Sequence, residues 1–259
     1  MITTAPSVNA SPLQNVGGWT ISHHACIPST QSLARDLPAW SAVWADEQTA
    51  GRGQAERSFV SDTGGLYVTA VLPYSGDALA SKGFALAVGW AVCTELCRVG
   101  IKGLRLRWPN DLMVGSEKVG GILVDQGGAH TLLVGIGLNI TNQPWDADPA
   151  LNGIAGRLAD SFHGRNLPEK DEWLSLLLRA VRLANDVFGH LHLPGLVDML
   201  DRCWDGERDV SLSPVRGIAL PATCGRFLGI DSHGAVRLRT APGVETRIPA
   251  HHIQRLREV

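Results

Sequence analysis

The sequence lacks an excess of basic residues, a paired-cysteine motif and any long apolar segment. It contains 23 Lys and Arg against 25 Asp and Glu in 259 residues, which gives a net charge of −2. Without a basic excess the chain has no charge to neutralise the phosphates of a nucleic acid, so nucleic-acid binding is not expected. No apolar run reaches the length of about 20 residues that a membrane-spanning helix needs, so membrane insertion is not expected either.

The cysteine usage argues against two further classes of protein. The five cysteines are odd in number and form no CxxC pair: Cys26, Cys93, Cys97, Cys203 and Cys224. A disulfide framework and a zinc ribbon both need paired cysteines, so we expect reduced thiols and a cytoplasmic protein. Residues 1–17 have neither the basic start nor the apolar centre of a signal peptide, and we expect them to be a disordered lead-in.

The overall composition is that of a globular protein, with 44% hydrophobic and 19% charged residues. Alternating β-rich runs predict strands at GWTISHHAC, at WSAVWADEQ and over Leu66–Leu72, and a hairpin over residues 120–140. Helical patterns predict a buried helix over residues 77–99, an amphipathic helix over residues 169–191 and a further helix over residues 196–204.

The pattern of residue types in the sequence changes near residue 205. Beyond Gly206, short β-like runs are separated by Pro or Gly at the spacing of a small barrel or sandwich. This change predicts a small all-β domain over residues 206–259, which follows a larger domain over residues 18–205.

The segment QTAGRGQAERSFVSDTGG combines glycines and arginines with few large apolar groups. Gly51 and Gly53 would let the backbone approach a ligand closely, and Arg52 supplies a planar charged fork suited to phosphate or carboxylate. Such a loop is typical of an anion-binding site. A tight turn with a solvated arginine explains the same residues equally well.

Two further motifs place polar groups beside strands. RWPND predicts a strand stopped by Pro109, so that Asn110 and Asp111 leave the edge of a sheet; a plain turn is the alternative. KVGGILVD places Lys118 at the start of a strand that contains two successive glycines. Glycines weaken a strand unless something such as a ligand lies close against it, and a β-bulge with an exposed lysine is the alternative.

The motif GIGLN places Gly135 and Gly137 on one face of a strand, with Asn139 on the same face. An amide beside this bare strip could contact an adenine or a ureido group. Each motif alone is weak. Together they predict a flat ligand bed in one sheet, with Arg52 and Lys118 as cationic clamps and no nucleophile.

These motifs occur in the order and spacing of biotin–protein ligases. The segments that carry the resemblance are ADEQTAGRG, SDTGGLYVT, LRWPNDLMV, EKVGGILVD and VGIGLNI. The resemblance implies an α+β fold: a mixed, mostly antiparallel sheet with helices packed on one side, plus a small C-terminal SH3-like β-barrel. The lead-in is too short for the DNA-binding winged helix of some members, so the short form of the family is expected.

The resemblance also implies a two-step ligase reaction. The biotin carboxylate attacks the α-phosphate of ATP and gives biotinyl-5′-AMP and pyrophosphate. The amine of one lysine on a biotin carboxyl carrier protein then attacks the acyl carbon and releases AMP. The expected ligands are biotin, ATP and Mg²⁺, the expected partner is the carrier of a biotin-dependent carboxylase, and the expected state is a monomer or a weak homodimer.

Roles for individual residues follow from the same resemblance. The expected catalytic residues are Lys118 beside the carboxylate and α-phosphate, Arg52 over the adenylate, and Asp111 as either a magnesium ligand or a base. The residues expected to bind biotin are Ser29, Thr30, Gln48, Gly51, Arg52, Trp108, Lys118, Gly120, Gly121 and Gly137. Those expected to contact ATP or the adenylate are Arg52, Gln54, Arg57, Asn110, Lys118 and Asn139.

The glycine–arginine loop departs from the family pattern at three positions. Gln54, Glu56 and Phe59 stand where Arg, Gly and Trp are usual, whereas Arg57 matches. The loop thereby loses a positive charge and gains a negative one, which predicts weaker retention of the adenylate. Two alternative functions are a catalytically weak or silent biotin-binding or regulatory module, suggested by this loop, and a lipoate–protein ligase, whose Arg-Arg and triple-glycine loop has no match here.

Overall fold

A computed structural model describes residues 14–74, 83–128, 130–163 and 165–259, with the backbone alone at Glu56. The strands of its larger sheet are β1 Gln14–Val16, β2 Trp19–Ile27, β3 Ser41–Gln48, β4 Leu66–Pro73, β5 Leu104–Arg107, β6 Asp111–Val114, β7 Glu117–Gln126 and β8 Thr131–Leu138. They lie in the order β1-β2-β3-β4-β8-β7-β6-β5. The β2–β3 pair is parallel and the others are antiparallel. The predicted strands and the β7–β8 hairpin are confirmed.

The first described residues differ from the predicted disordered lead-in. Gln14–Val16 pair antiparallel with Trp19–Ile21, so they form the edge strand of the sheet. Gly17 and Gly18 make the connecting turn with φ values of 59° and 81°. Two successive positive φ angles favour glycine, which is why this hairpin forms where the composition alone suggests no structure. Residues 1–13 lie outside the described residues.

The α-helices are α1 Thr30–Ala34, α2 Phe84–Arg98, α3 Pro144–Ala147 and α4 Lys170–Asp201. The two long helices, α2 and α4, pack on one face of the sheet against side chains such as Trp44 and Ile136. The short α1 lies on the opposite face, where Ala34 packs with Val43 and Val71. The prediction that helices pack on one side of the sheet therefore holds for α2 and α4. The opposite face carries only the short α1, which leaves room for a cleft.

The observed ends of the helices differ from the predicted ends. The described part of the helix predicted over residues 77–99 begins at Phe84, and residues 75–82 lie outside the described residues. The long α4 is interrupted at His192, where φ is 50°, so two helical segments are present, as predicted. Pro194 lies in the first turn after this break, where its missing N–H costs little. The second segment ends at Asp201 and not at Trp204.

The C-terminal residues form a second, antiparallel sheet. Its strands are β9 Arg208–Pro214, β10 Cys224–Ile230, β11 Val236–Ala241, β12 Val244–Ile248 and β13 Ile253–Glu258, in the order β12-β11-β10-β9-β13. Its apolar side chains join the main core, for example where Trp204 and Phe227 meet edge to face at 5.5 Å. An all-β C-terminal region is confirmed, whereas the division at residue 205 stays a prediction.

Within the described ranges, no helix has the length and apolar character needed to cross a membrane.

Candidate active site

One row of residues runs straight across the central strands on the face opposite α2 and α4. Successive partners in this row are Tyr67 on β4, Gly137 on β8, Gly121 on β7, Asp111 on β6 and Arg107 on β5. Because neighbouring strands lie about 4.8 Å apart, the row spans roughly 14 Å from Tyr67 to Asp111. The two glycines leave the centre of the row bare of side chains.

The ring of Phe59 lies over this bare strip. A Cβ on Gly137 would come within 2.7 Å of the ring, and a Cβ on Gly121 would lie 3.3 Å from the Lys118 side chain. Phe59 also meets Tyr67 edge to face, with 6.3 Å between ring centroids. Glycine at both positions therefore keeps a flat bed across β7 and β8.

Gly120 faces the other side of the sheet, which corrects its predicted place in the ligand bed. A Cβ there would lie 2.7 Å from the carbonyl oxygen of Gly137 and 2.7 Å from the Leu138 side chain. The β6–β7 pairing also shifts register between Leu112 and Met113, so the β-bulge considered as the alternative is present. Packing between strands, and not the approach of a ligand, accounts for this glycine.

A buried network of neutral polar groups lies at the end of the bed nearest α1. Gln48 Oε1 accepts hydrogen bonds from the backbone N–H and the hydroxyl of Thr30 at 2.8 and 3.1 Å. Gln48 Nε2 donates to Ser61 Oγ at 2.9 Å. The Thr69 hydroxyl lies 2.9 Å from Thr30 Oγ1 and 3.0 Å from Gln31 Oε1. These bonds fix the orientation of both amides without any charged group.

Two polar groups in this network have no partner among the described residues: Ser29 Oγ and Gln31 Nε2. The two residues are only 4% and 3% exposed. Ser29 is the N-cap of α1, but its hydroxyl makes no capping bond. Leaving a buried polar group unpaired costs about 1–3 kcal/mol. Both residues line the cleft, so these two groups are available to hydrogen-bond a ligand bound there.

Gln31 was not among the predicted site residues. A glutamine within an apparent helix start has no distinctive pattern, and its role emerges only from the fold. A Cβ on Gly135 would lie 2.7 Å from Gln31 Oε1, so this glycine of β8 makes room for the amide.

At the other end of the row, Asp111 lies between two cations. Lys118 Nζ is 2.5 Å from one carboxylate oxygen, and Arg107 Nη2 is 2.7 Å from the other. Burial opposes ionisation of Asp111, but Lys118 and Arg107 outweigh that effect and lower its pKa. Asp111 is thus ionised at neutral pH and is a weak proton acceptor, so the base role expected as one alternative does not fit this arrangement.

The glycine–arginine loop folds into a small hairpin. The N–H of Phe59 bonds to the Gly51 carbonyl at 2.9 Å, and the N–H of Gly53 bonds to the Arg57 carbonyl at 2.7 Å. A Cβ on Gly51 would lie 2.3 Å from the Phe59 carbonyl oxygen. Gly51 is thus required by the hairpin itself and does not line the cleft, contrary to its predicted contact with biotin.

The hairpin presents three of the predicted residues to the cleft: Arg52, Gln54 and Arg57. Arg57 Nε also donates to the Gln54 carbonyl at 3.2 Å, which closes the tip of the loop. The side chain of Glu56, predicted to repel the adenylate, lies outside the described part of the structure.

Three other predicted contact residues border the cleft but also have contacts inside the protein: two form hydrogen bonds and one packs in the core. Asn110 Nδ2 donates to the Ile122 carbonyl at 2.5 Å, and Asn139 Nδ2 donates to the Gly156 carbonyl at 3.0 Å. Trp108 is 6% exposed and packs into the core. Their contacts with biotin or ATP stay predictions.

The polar network near α1, the glycine strip, the Asp111 ion pairs and the tip of the glycine–arginine hairpin border one cleft of about 650 Å³. The C-terminal strand β13 also borders it, through residues 254–258. The cationic side chains of the cleft are Arg52, Arg57, Arg107, Lys118, Arg255 and Arg257. Its carboxylates are Asp111, Asp148 and Glu258. This excess of positive charge suits a polyphosphate.

The structure favours no magnesium cage built by the protein alone. No group of three or more His, Cys, Asp or Glu side chains converges among the described residues. Both oxygens of Asp111 bind cations of the protein. Magnesium therefore fits as an ion held chiefly by nucleotide phosphates and water, and its contact with Asp111 stays a prediction.

Comparison with known proteins gives the same picture. Residues 24–140 match the model of the biotin/lipoate A/B protein ligase family. The chain is 30% identical over 234 residues to the biotin–[acetyl-CoA-carboxylase] ligase of Paracoccus denitrificans. The aligned region covers 85% of this chain and 92% of that protein. It is 27% identical over 241 residues to the bifunctional ligase/repressor BirA of Bacillus subtilis. This aligned region covers 89% of this chain and 72% of that protein.

The fold matches that of a biotin protein ligase from Aquifex aeolicus solved in complex with biotin and ATP. The TM-score is 0.75 at 21% identity, over 92% of this chain and 99% of that chain. A row of glycines flanked by a neutral polar network and by cations, together with these relatives, assigns the chain: it belongs to the biotin–protein ligases.

Proposed function

We propose that this protein activates biotin with ATP and transfers it to a lysine of a biotin carboxyl carrier protein. The observation that carries this proposal is one cleft with a neutral polar network at one end, a bare glycine strip in the middle and cations at the other end. Biotin presents its groups in that order: a neutral ureido ring, an apolar chain and a carboxylate. The ligase activity of the named relatives supports the same reaction.

The ureido ring of biotin would lie in the network around Gln48. The unpaired Ser29 hydroxyl and Gln31 Nε2 are donors that suit the ureido oxygen, and both are already buried. The apolar chain would then cross Gly137 and Gly121, beside the ring of Phe59. Among the described residues, no desolvated charge lies along this half of the cleft, which favours a neutral head group.

The carboxylate of biotin would then reach Lys118. In the first step a carboxylate oxygen attacks the α-phosphorus, the bond to the bridging oxygen of the β-phosphate breaks, and pyrophosphate leaves. Negative charge builds on the phosphate oxygens, and fixed cations such as Lys118, Arg52 and Arg107 stabilise it without reorganisation. Asp111 holds Lys118 in place through the 2.5 Å ion pair.

In the second step the neutral amine of the carrier lysine attacks the acyl carbon, AMP leaves with the electrons of the broken bond, and the proton that the amine loses passes to the departing phosphate or to water. The low pKa of Asp111 makes it unsuited to take the proton of that amine. In the first step, a bound magnesium ion would supply further positive charge to the phosphates of ATP. A cytoplasmic location, the particular carrier and a monomer or weak homodimer stay predictions.

The function is tested by ATP-dependent labelling of a carrier domain, with biotin and lipoate supplied separately and in competition. We expect biotin to be incorporated and lipoate to be excluded, because the lipoate head has no ureido group for the network. Preferred incorporation of lipoate would contradict the proposal. Biotin binding without adenylate formation would favour the silent binding module.

Gln31→Leu should weaken biotin binding roughly tenfold, since it removes a buried donor worth about 1–1.5 kcal/mol to the ligand. The melting temperature should change little, because Gln31 Nε2 has no protein partner to lose and the Thr69 hydroxyl, which loses Gln31 Oε1, keeps Thr30 Oγ1 as an acceptor. Calorimetric titration with biotin measures the first effect and thermal unfolding the second. Gln126→Leu, at the exposed end of β7, is the matched control. Unchanged affinity would show that Gln31 Nε2 does not reach biotin.

Gln54→Arg should slow the release of preformed biotinyl-AMP roughly five- to thirtyfold, because a charge-assisted contact adds about 1–2 kcal/mol. Tryptophan fluorescence can follow the release at two salt concentrations, and the gain should shrink at the higher one. Gln54→Met, which matches the length without charge, should release the adenylate at the wild-type rate. Equal rates for the wild type and Gln54→Arg would place residue 54 in solvent.

A further inference from the structure

A buried arginine joins the two sheets close to the cleft. Arg105, on β5, is only 2% exposed. Its Nη1 and Nη2 donate to the two carboxylate oxygens of Glu258, on β13, at 2.6 Å each. Nη2 also donates to the Gly115 carbonyl at 3.0 Å. Arg208 approaches the same carboxylate more loosely, at 3.9 Å.

The geometry of this pair fixes one strand against another. Two parallel hydrogen bonds between a guanidinium and a carboxylate set both distance and orientation, which a single contact does not. A buried ion pair contributes little net stability compared with apolar groups of the same size, because desolvation offsets the attraction. Fixed placement of β13 against the edge strand β5 is therefore the main consequence of the Arg105–Glu258 pair.

The strand held in this way carries two cations to the cleft. Arg255 and Arg257 are two residues apart and so leave β13 on one face. Leu256 and Glu258 leave β13 on the other face, where Leu256 is 7% exposed and packs into the core and Glu258 binds Arg105, and both also border the cleft at its edge. Both arginines line the cleft. Each is largely exposed, whereas the strand that carries them is anchored.

Arg255 lies among charges of the same sign. Although Arg255 is exposed as a residue, partial burial of its charged group lowers its pKa, and the nearby Arg257, Arg57 and Arg107 lower it further, whereas Asp111 raises it. Clustered cations repel one another, and a bound anion relieves this repulsion. A triphosphate carries enough negative charge to neutralise several cations. Arg255 therefore lies at the same end of the cleft as Asp111 and Arg107.

We infer that Arg105 and Glu258 form a positioning pair that holds β13 so that Arg255 contributes to binding the triphosphate of ATP. This inference rests on the proposed function for the identity of the nucleotide. It assigns Arg255 to substrate contact, and it assigns Arg105 and Glu258 to placement of that contact. The biotin end of the cleft, on β3, β4 and α1, takes no part.

Direct binding of a non-hydrolysable ATP analogue tests this inference without requiring any turnover. We expect Arg255→Gln and Glu258→Gln each to raise the dissociation constant of the analogue about tenfold, as loss of a charge-assisted contact does. Because Glu258 acts through Arg255, the double variant should bind within about twofold of either single variant, and not about a hundredfold more weakly than wild type. Biotin affinity should stay unchanged in all three proteins.

Two further variants separate placement from folding. Glu258→Asp keeps the charge beside the buried arginine but shortens its reach, so a smaller loss of analogue affinity is expected even if Glu258→Gln does not fold. Glu207→Gln removes the similar two-bond pair between Glu207 and Arg239, which lies on the same sheet outside the cleft. It should leave analogue binding unchanged.

Several results would overturn the inference: unchanged analogue affinity in Arg255→Gln, independent multiplication of the two single effects, or equal losses of biotin and analogue affinity in Glu258→Gln. A wild-type protein that binds the analogue but does not biotinylate a carrier would contradict the proposed reaction and leave this inference standing.

Discussion

Lys118→Ala should lower the rate of biotinyl-adenylate formation by roughly 10²–10³-fold, the loss typical when one fixed group that stabilises developing charge is removed. Lys118 is the cation of the glycine bed itself: its side chain lies beside Gly121 and its Nζ is 2.5 Å from Asp111. The fold should persist, because Asp111 keeps its bond to Arg107 at 2.7 Å and so is not left unpaired. Biotin-dependent exchange of pyrophosphate into ATP measures the effect.

Lys170→Ala is the matched control for this experiment. Lys170 also pairs with an aspartate, Asp46, but this pair lies outside the cleft. Its removal should leave exchange at the wild-type rate, since an exposed ion pair contributes little. Normal exchange in Lys118→Ala would rule out the assigned role of the lysine.

Gly137→Val should abolish most biotin binding while leaving the protein folded. The added side chain starts at a point 2.7 Å from the Phe59 ring and covers the strip on which the ligand would lie. Overfilling a packed site costs about 1–3 kcal/mol, so the dissociation constant for biotin should rise roughly 5- to 150-fold. Valine suits a strand, and Phe59 can move from an open cleft, so the melting temperature should change little.

Gly120→Ala should show the opposite behaviour. Its Cβ would lie 2.7 Å from the Gly137 carbonyl oxygen, which is backbone and cannot move away easily. The expected cost of about 1–3 kcal/mol would lower the melting temperature by several degrees, with a smaller effect on biotin affinity. If Gly137→Val bound biotin normally, or if Gly120→Ala alone lost affinity, the assignment of faces to these glycines would be wrong.

The difference between these two glycines shows where sequence reasoning reached its limit. The pair KVGG indicates close approach to something, but Gly120 and Gly121 are adjacent, so only one of them can face the ligand, and the bulge in β7 places Gly121 on the face of Lys118. Successive residues of a strand point to opposite faces, so a shift by one residue moves a side chain from the ligand side to the core. The sequence therefore predicted a glycine requirement correctly and assigned one of its two causes wrongly.

The local patterns were the most predictable part of the protein. The β-rich runs over β4, β7 and β8, the helical periodicity of α4 and the change of sequence pattern after Gly206 depend on neighbouring residues, and the elements that they predict are present in the structure. The family followed from motifs whose spacing is set by the same strands. The expected sheet-borne residues Gly121, Gly137 and Lys118 came from this local information and lie together in the cleft.

Only the tertiary structure decided which distant side chains join them. Arg107 ends β5, just before the cis Trp108–Pro109 bond, Gln31 lies inside a five-residue helix, and Arg255 lies on β13, the last of the described strands. Each has an ordinary local sequence, because an arginine or glutamine in a strand or helix is usually solvated. Their roles arise from pairings such as Arg105 with Glu258, 153 residues apart, which depend on how the two sheets pack and on no pattern within either segment.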